Sequence, residues 1–231
     1  MIHTERILPA HQIKLVLWDL DGTLVNSELD LAHAINAMLR QFKRSELPVE
    51  TIGTFIGDGA PMLVRRSLGD PQDEGFVKEA LEYFLLYYRE HKLDNTYVYD
   101  GIIPALHAIG ASRNGAPPRK QAVLTNKPVR PSRDIVAGLG LGEIFLQVYG
   151  GNSFETKKPD PLGAKTLMHE LGCAPEETVM IGDSQIDSLT ARNAGMWSIG
   201  VTYGFAPESL KHAPPDVVVD TPGELAEVLG G

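Results

Sequence analysis

One cysteine, Cys173, stands in a chain of 231 residues. That excludes an internal disulfide framework and fits a reducing compartment. Basic residues are in the minority, 21 Lys and Arg against 30 Asp and Glu, for a net charge of -9. A nucleic-acid partner is not expected, because a phosphate backbone needs a basic face. Long apolar runs are also missing. The longest aromatic-apolar run, Tyr83 to Tyr88, falls far short of the ~20 residues that span a bilayer. The segment holding His3, Glu5, Arg6 and Pro9 has no apolar stretch of the signal-peptide kind. The expectation is a cytoplasmic protein that binds neither nucleic acid nor membrane. The seven histidines form no metal-ligand spacing, and no segment repeats. Oligomeric state has no readable mark.

What is present is a core. Hydrophobic residues make up 43% of the chain, enough for one large domain or a domain with a sizeable insertion. The most informative stretch is Lys14-Leu15-Val16-Leu17-Trp18-Asp19-Leu20-Asp21-Gly22-Thr23-Leu24. A short Leu/Val strand running into Gly22 reads as a buried parallel strand that ends in a tight turn. Two carboxylates, Asp19 and Asp21, then sit at its carboxyl end, where open α/β sheets bind ligands.

After Asp21 the pattern changes. Residues 26–97 read as helix upon helix. Leu31, Ile35, Met38, Leu39 and Phe42 recur at helical spacing, as do Phe76, Ala80, Tyr83, Phe84 and Tyr87. The aromatic stripe is expected to serve helix–helix packing. Between the two runs, Thr54 to Pro61 is a glycine-rich turn that leads into a further helix. From Val98 onward strands and helices alternate. Strands are expected at 122–124, 145–149, 178–181, 197–201 and 216–219. Helices are expected at 129–139, 161–171, 184–194 and 223–229. Alternation of this kind predicts a parallel sheet covered on both faces. The helical block is then an insertion after the first strand. Domain boundaries follow: a core of residues 1–25 and 98–231, and an inserted helical domain of 26–97. Ser112 to Lys120, rich in Gly, Pro and Arg, reads as a surface loop.

Three further strand ends carry polar clusters. Thr125-Asn126-Lys127 follows the strand 122–124. A hydroxyl, an amide and backbone N–H groups at a helix start can hold phosphate oxygens. Lys157-Lys158-Pro159-Asp160-Pro161 precedes a helix, and a lysine there can neutralise a phosphoryl group. Gly182-Asp183-Ser184-Gln185-Ile186-Asp187 puts carboxylates at another strand end, where hard oxygen ligands suit Mg²⁺. Singly, each has a plain structural reading: a helix cap, a solvated lysine, a turn.

Taken in order, the four clusters resemble the motifs of the haloacid dehalogenase-type (HAD) superfamily, most of whose members are magnesium-dependent phosphotransferases. The resemblance runs from Leu15 to about Gly204. It implies an α/β fold, a Rossmann-like parallel sheet core flanked by helices, with a helical cap domain inserted after the first strand. It implies Asp19 as nucleophile and Asp21 as general acid/base. Thr125 and Lys158 match the hydroxyl and lysine that hold the phosphoryl oxygens, beside Asn126. Mg²⁺ would be held by Asp19, the Asp21 carbonyl and Asp183, with Asp187 binding directly or through water. The phrases Asp-Leu-Asp-Gly-Thr-Leu-Val-Asn-Ser, Phe-Ile-Gly-Asp-Gly, Leu-Thr-Asn-Lys-Pro and Lys-Lys-Pro-Asp-Pro look most like the phosphoglycolate phosphatase group. The expected substrate is a small phosphorylated metabolite.

Asp21 discriminates among rivals. Dehalogenases expel halide and lack a matching Asp, and phosphonate hydrolases also differ there. Sugar-phosphate mutases share it, but usually carry an acidic residue where this chain has Gly182. A phosphorelay receiver, a non-enzymatic alternative, is about half this length and has no helical insertion. For specificity the sequence nominates cap residues Gly57, Asp58, Gly59 and the pair Arg65-Arg66. Arg65, six residues beyond Gly59, is the expected partner of a substrate carboxylate.

Overall fold

The computed structural model describes residues 3–4, 6–112 and 117–230. Its main sheet contains β1 (His3–Thr4), β2 (Leu15–Trp18), β5 (Lys120–Leu124), β6 (Gln147–Tyr149), β7 (Thr178–Gly182), β8 (Trp197–Val201) and β9 (Val217–Val219). A separate two-stranded ribbon pairs β3 (Val25–Asn26) with β4 (Tyr97–Val98). The main sheet runs in the order β1-β9-β8-β7-β2-β5-β6. Only β1 is antiparallel to its neighbour.

The helices follow from the same alternation. They are α1 (Glu28–Gln41), α2 (Val49–Gly53), α3 (Ala60–Ser67), α4 (Glu74–His91), α5 (Ile102–Gly110), α6 (Val129–Gly138), α7 (Leu162–Glu170), α8 (Gln185–Ala194) and α9 (Pro222–Gly230). Strand β2 shows why the sheet is covered twice. Its side chains alternate between faces. Val16 and Trp18 join Leu106 of α5, Ile135 of α6 and Leu225 of α9 in one apolar cluster. Leu15 and Leu17 join Leu167 of α7 and Ala191 of α8 in another. A strand buried on both faces reads as the continuous apolar run seen in the sequence.

Helices α1 to α4 bury their apolar stripes on one another, in a third cluster that includes Leu31, Ile35, Met38, Val64 and Phe84. Phe42 meets Phe76 and Tyr83 edge-on, at 5.4 and 6.3 Å between centroids. Asp73 caps α4 by accepting from Phe76 N at 3.0 Å. No helix among the described residues is long and apolar enough to cross a membrane.

Several expectations change. Phe145 is not in a strand: it turns into the core, and pairing with β5 covers only Gln147 to Tyr149. The ribbon and β1 are too short to leave a period-2 pattern, and were not expected. Of the loop at 112–120, residues 113–116 lie outside the described residues, and Lys120 already belongs to β5. The basic character there has a structural use. Arg119 donates to the carbonyls of Ile13, Ala10 and Ile109 at 3.0, 2.9 and 3.3 Å.

One buried carboxylate ties the helical block to the chain that leaves it. Asp30, near the start of α1, is 1% exposed. It accepts from the backbone N–H groups of Asn95 and Thr96, from Asn95 Nδ2 and from Thr96 Oγ1, at 2.7–3.0 Å. Burial alone would raise its pKa, but these hydrogen bonds outweigh it and hold the group below the usual carboxylate range. Its stabilising effect is therefore present above the unfolded value of ~3.9 and lost as pH falls through the lowered folded value. Asp30→Ala leaves buried donors without an acceptor and should cost about 3 kcal/mol in urea unfolding at neutral pH. The gap to the parent protein should narrow in acid. A loss under ~0.5 kcal/mol would show that the network has no structural weight.

Candidate active site

Strands β2, β5 and β7 lie side by side and parallel, so the residues that follow them emerge on one edge. The chain goes from β2 to β5 on one side and returns to β7 on the other. Direction of winding reverses at β2, the place where such sheets bind ligands. Asp19 follows β2 there, Thr125 follows β5 and Asp183 follows β7. All three are buried.

The turn after Asp19 is tight because it must be. Gly22 has φ +80°, and a Cβ on it would lie 2.3 Å from Asp183 Oδ2. Glycine alone allows both the backbone and the close approach. Asp183 is braced from beyond the sheet: its Oδ2 accepts from Phe205 N at 2.7 Å and Ala206 N at 3.2 Å. Asp187 belongs to the capping box of α8 and accepts from Ser184 Oγ at 2.8 Å and Ser184 N at 3.2 Å.

Carboxylate oxygens of Asp19, Asp183 and Asp187 lie within 4.8 Å of one another. Lys158 Nζ sits among them, 2.6 Å from Asp187 Oδ1 and 2.9 Å from Asp19 Oδ1. Were all three ionised, two negative charges would stand uncompensated against one lysine. The energetics register this. Burial, then Lys158 against it and Asp187 with it, puts the Asp19 carboxyl at about 6. Burial, with Asp187 and Asp19 adding to it, pushes Asp183 up to about 8. For Lys158 burial works against the charge, but the two carboxylates outweigh it and raise its pKa. An all-oxygen donor set short of two positive charges fits a divalent cation such as Mg²⁺.

Asp21 is not part of this carboxylate group. Its Oδ1 accepts from Ser27 Oγ at 2.5 Å, and its two oxygens take Lys127 Nζ at 2.9 and 3.1 Å. Asn126 Nδ2 donates to Lys158 O and to Gly57 O, both at 3.1 Å. That amide links the core edge to the glycine-rich turn before α3. The turn fits closely: a Cβ on Gly59 would lie 2.8 Å from Asn126 O. Lys157 Nζ donates to Asp58 O across the same junction.

The cavity between sheet edge and helices has a volume of about 40 Å³, room for a few waters. Asp19, Asp21, Thr125 and Lys127 form its floor, and Gly57, Leu63, Phe84 and Tyr88 its roof.

Asp19, Asp21, Thr125, Asn126, Lys158, Asp183 and Asp187 thus converge as the motif order implied, and Gly57 comes over them. Arg65 does not, which corrects the expectation for it. Its guanidinium donates to Pro71 O at 3.0 Å and Glu74 Oε2 at 2.5 Å, contacts that use up its fork away from the cavity. Arg66 pairs with Asp58 at 2.5 Å and does not line the cavity either. Sequence reasoning missed Ser27, Lys127 and Tyr88. Lys127 sits within the Thr125-Asn126-Lys127 cluster, so its position was a signal. The stripe on α4 hid Tyr88, because a residue that packs and a residue that lines a cavity share one helical period.

The chain matches the family model described as haloacid dehalogenase-like hydrolase over residues 16–201. It is 33% identical over 226 residues to a phosphoglycolate phosphatase of Haemophilus influenzae, covering 94% of this chain and 99% of that one. It is 35% identical over 217 residues to phosphoglycolate phosphatase 1 of Pseudomonas aeruginosa, covering 92% and 78%. A crystal structure of a predicted phosphoglycolate phosphatase from Haemophilus somnus aligns at TM-score 0.86 and 31% identity, covering 94% and 98%. A haloacid dehalogenase-like protein of Streptococcus pneumoniae, 24% identical, shares the fold at TM-score 0.82. The chain therefore belongs to the haloacid dehalogenase-like hydrolase family and is a hydrolytic enzyme.

Proposed function

We propose that this protein hydrolyses a small phosphate monoester, 2-phosphoglycolate in preference, with Mg²⁺ and through an aspartyl-phosphate on Asp19. The chain is a phosphoric monoester hydrolase. One observation carries the finer reading: the buried Asp19, Asp183 and Asp187 carboxylates, with Lys158 alone among them. The choice of substrate rests on relatives of nearly full length that bear the name phosphoglycolate phosphatase. The setting is the cytoplasm, and the partner is a phosphorylated metabolite.

Asp19, Asp183, Asp187 or its water, and the Asp21 carbonyl would hold the cation. When bound, Mg²⁺ offsets repulsion between the phosphate dianion and the anionic nucleophile. Lys158 and Thr125 hold the transferring oxygens. Asp19 attacks phosphorus, forming the acyl phosphate and releasing the leaving alkoxide. Asp21 gives that alkoxide a proton, then takes one from the water that cleaves the intermediate. Ser27 and Lys127 hold the Asp21 carboxyl in one orientation throughout. A sugar-phosphate mutase is disfavoured at position 182. A Cβ there would lie 2.1 Å from Asp187 Cγ, so a mutase-like acidic residue has no space beside Asp187. Family membership removes the phosphorelay receiver.

Asp19→Asn should fold normally by circular dichroism and show no turnover of p-nitrophenyl phosphate, since an amide cannot attack phosphorus. Near-parent turnover by the purified variant would refute the nucleophile assignment.

Asp21→Asn should spare good leaving groups. With p-nitrophenyl phosphate, phosphorylation of Asp19 should persist. With an alkyl phosphate the rate should fall about 10²–10⁴-fold, the usual worth of a positioned acid or base. Equal losses with both substrates would count against Asp21 as the acid.

Chelation by EDTA should abolish turnover, and Mg²⁺ should restore it. The shift in melting temperature caused by Mg²⁺ should be larger at pH 8 than at pH 6. Asp19 at about 6 and Asp183 at about 8 are raised above the unfolded ~3.9. The metal-free protein therefore loses stability as pH rises through that window, and protons compete with the cation at its lower end. Full activity in excess EDTA would remove metal from the scheme.

A further inference from the structure

The roof of the cavity is apolar where Leu31, Ile56, Leu63 and Phe84 face it. Two polar groups break that wall at one end. Lys127 is the one cation among the lining residues, and it is 6% exposed. Tyr88 of α4 comes from the opposite side, is 2% exposed, and has a hydroxyl that faces the Lys127 ammonium and finds no acceptor for its own O–H. The two meet: Lys127 Nζ lies 4.7 Å from the Tyr88 ring centroid. A buried O–H left without an acceptor costs about 1–3 kcal/mol, so one lining a cavity points to a ligand acceptor.

An ammonium has three N–H donors. Those of Lys127 that reach Asp21 meet its two oxygens, and the ammonium also faces Tyr88. This end of the cavity therefore offers a positive charge and an O–H. A carboxylate takes both. The covalent distance also agrees. In a phosphate ester of a 2-hydroxy acid, the leaving oxygen and the carboxylate sit on adjacent carbons or the same short chain. The leaving oxygen must reach Asp21 to be protonated. A cation bonded to Asp21 is then within reach of the neighbouring carboxylate. Arg65 and Arg66, both tied to cap carboxylates, leave this role open.

We propose that Lys127 and Tyr88 form the site that reads the substrate carboxylate, the feature by which the enzyme tells 2-phosphoglycolate from an ester without one. This rests on the phosphatase reading above. Lys127 bridges two carboxylates, Asp21 on the floor and the substrate's own, while Tyr88 brings the cap's only share of the recognition among these polar groups. The charged end of the substrate is what joins cap to core.

The test compares 2-phosphoglycolate with ethyl phosphate, an ester of similar size without the carboxylate, on the Mg²⁺-loaded enzyme. The parent protein should favour 2-phosphoglycolate in kcat/KM by at least tenfold. Tyr88→Phe, which keeps the ring, should shrink that ratio severalfold, chiefly through a higher KM for 2-phosphoglycolate. Lys127→Met should bring the ratio near one, while both rates fall because Asp21 loses a partner. Should Lys127→Met fail to fold, the Tyr88→Phe ratio decides alone. Equal losses on both substrates would overturn the proposal and leave Lys127 as a holder of Asp21. A parent enzyme that cleaves both esters without preference would overturn it too, with the phosphatase reading intact. A parent enzyme that cleaves no phosphate ester would take down that reading as well.

Discussion

Like charges crowded at a buried strand edge govern this structure. Asp19, Asp183 and Asp187 cannot all ionise cheaply around Lys158 alone, and water is largely excluded from them. In a medium of low polarity such repulsion is strong. The fold holds the carboxylates in place by other means. Backbone N–H groups of Phe205 and Ala206 grip Asp183, Ser184 grips Asp187, and the missing side chain of Gly22 lets the first turn approach. The strain is stored in electrostatics, and a divalent cation would relieve it. Preorganisation of this kind means little has to move when substrate arrives.

The helices above the edge are joined to it by a small number of polar contacts. Asp30 anchors the base of α1 to Asn95 and Thr96, just ahead of β4. Asn126 spans from the Lys158 carbonyl to Gly57. The first contact is buried and stabilises the fold. The second is one amide shared between the glycine-rich turn before α3 and the backbone carbonyl of Lys158.

Much of the site was legible because its chemistry is charge at strand ends. Asp19, Asp21, Thr125 and Asp183 each follow an apolar run, and Lys158 stands just ahead of the helical pattern at 161–171. Lys127 was harder. A lysine after Thr125-Asn126 looks like any solvated helix-start lysine, and only the fold shows it buried against Asp21. Arg65 was misread for the converse reason. Its place on α3 says nothing about its rotamer, and Glu74 on the next helix captures it. Ribbon β3–β4 is two residues per strand, below the length at which alternation can be recognised. Phe145 was drawn into a strand by its apolar neighbours, whereas an edge strand is defined by the partner it finds.

The apolar cluster of α1 to α4 shares no buried residue with the two clusters that sandwich the sheet. Substitutions that reshape the roof, at Leu63 or Phe84 for instance, are absorbed within a module that the sheet does not need for its own cohesion. Reshaping the roof there leaves the packing around the strand-end carboxylates untouched. Ceiling and floor are separable pieces of hydrophobic packing.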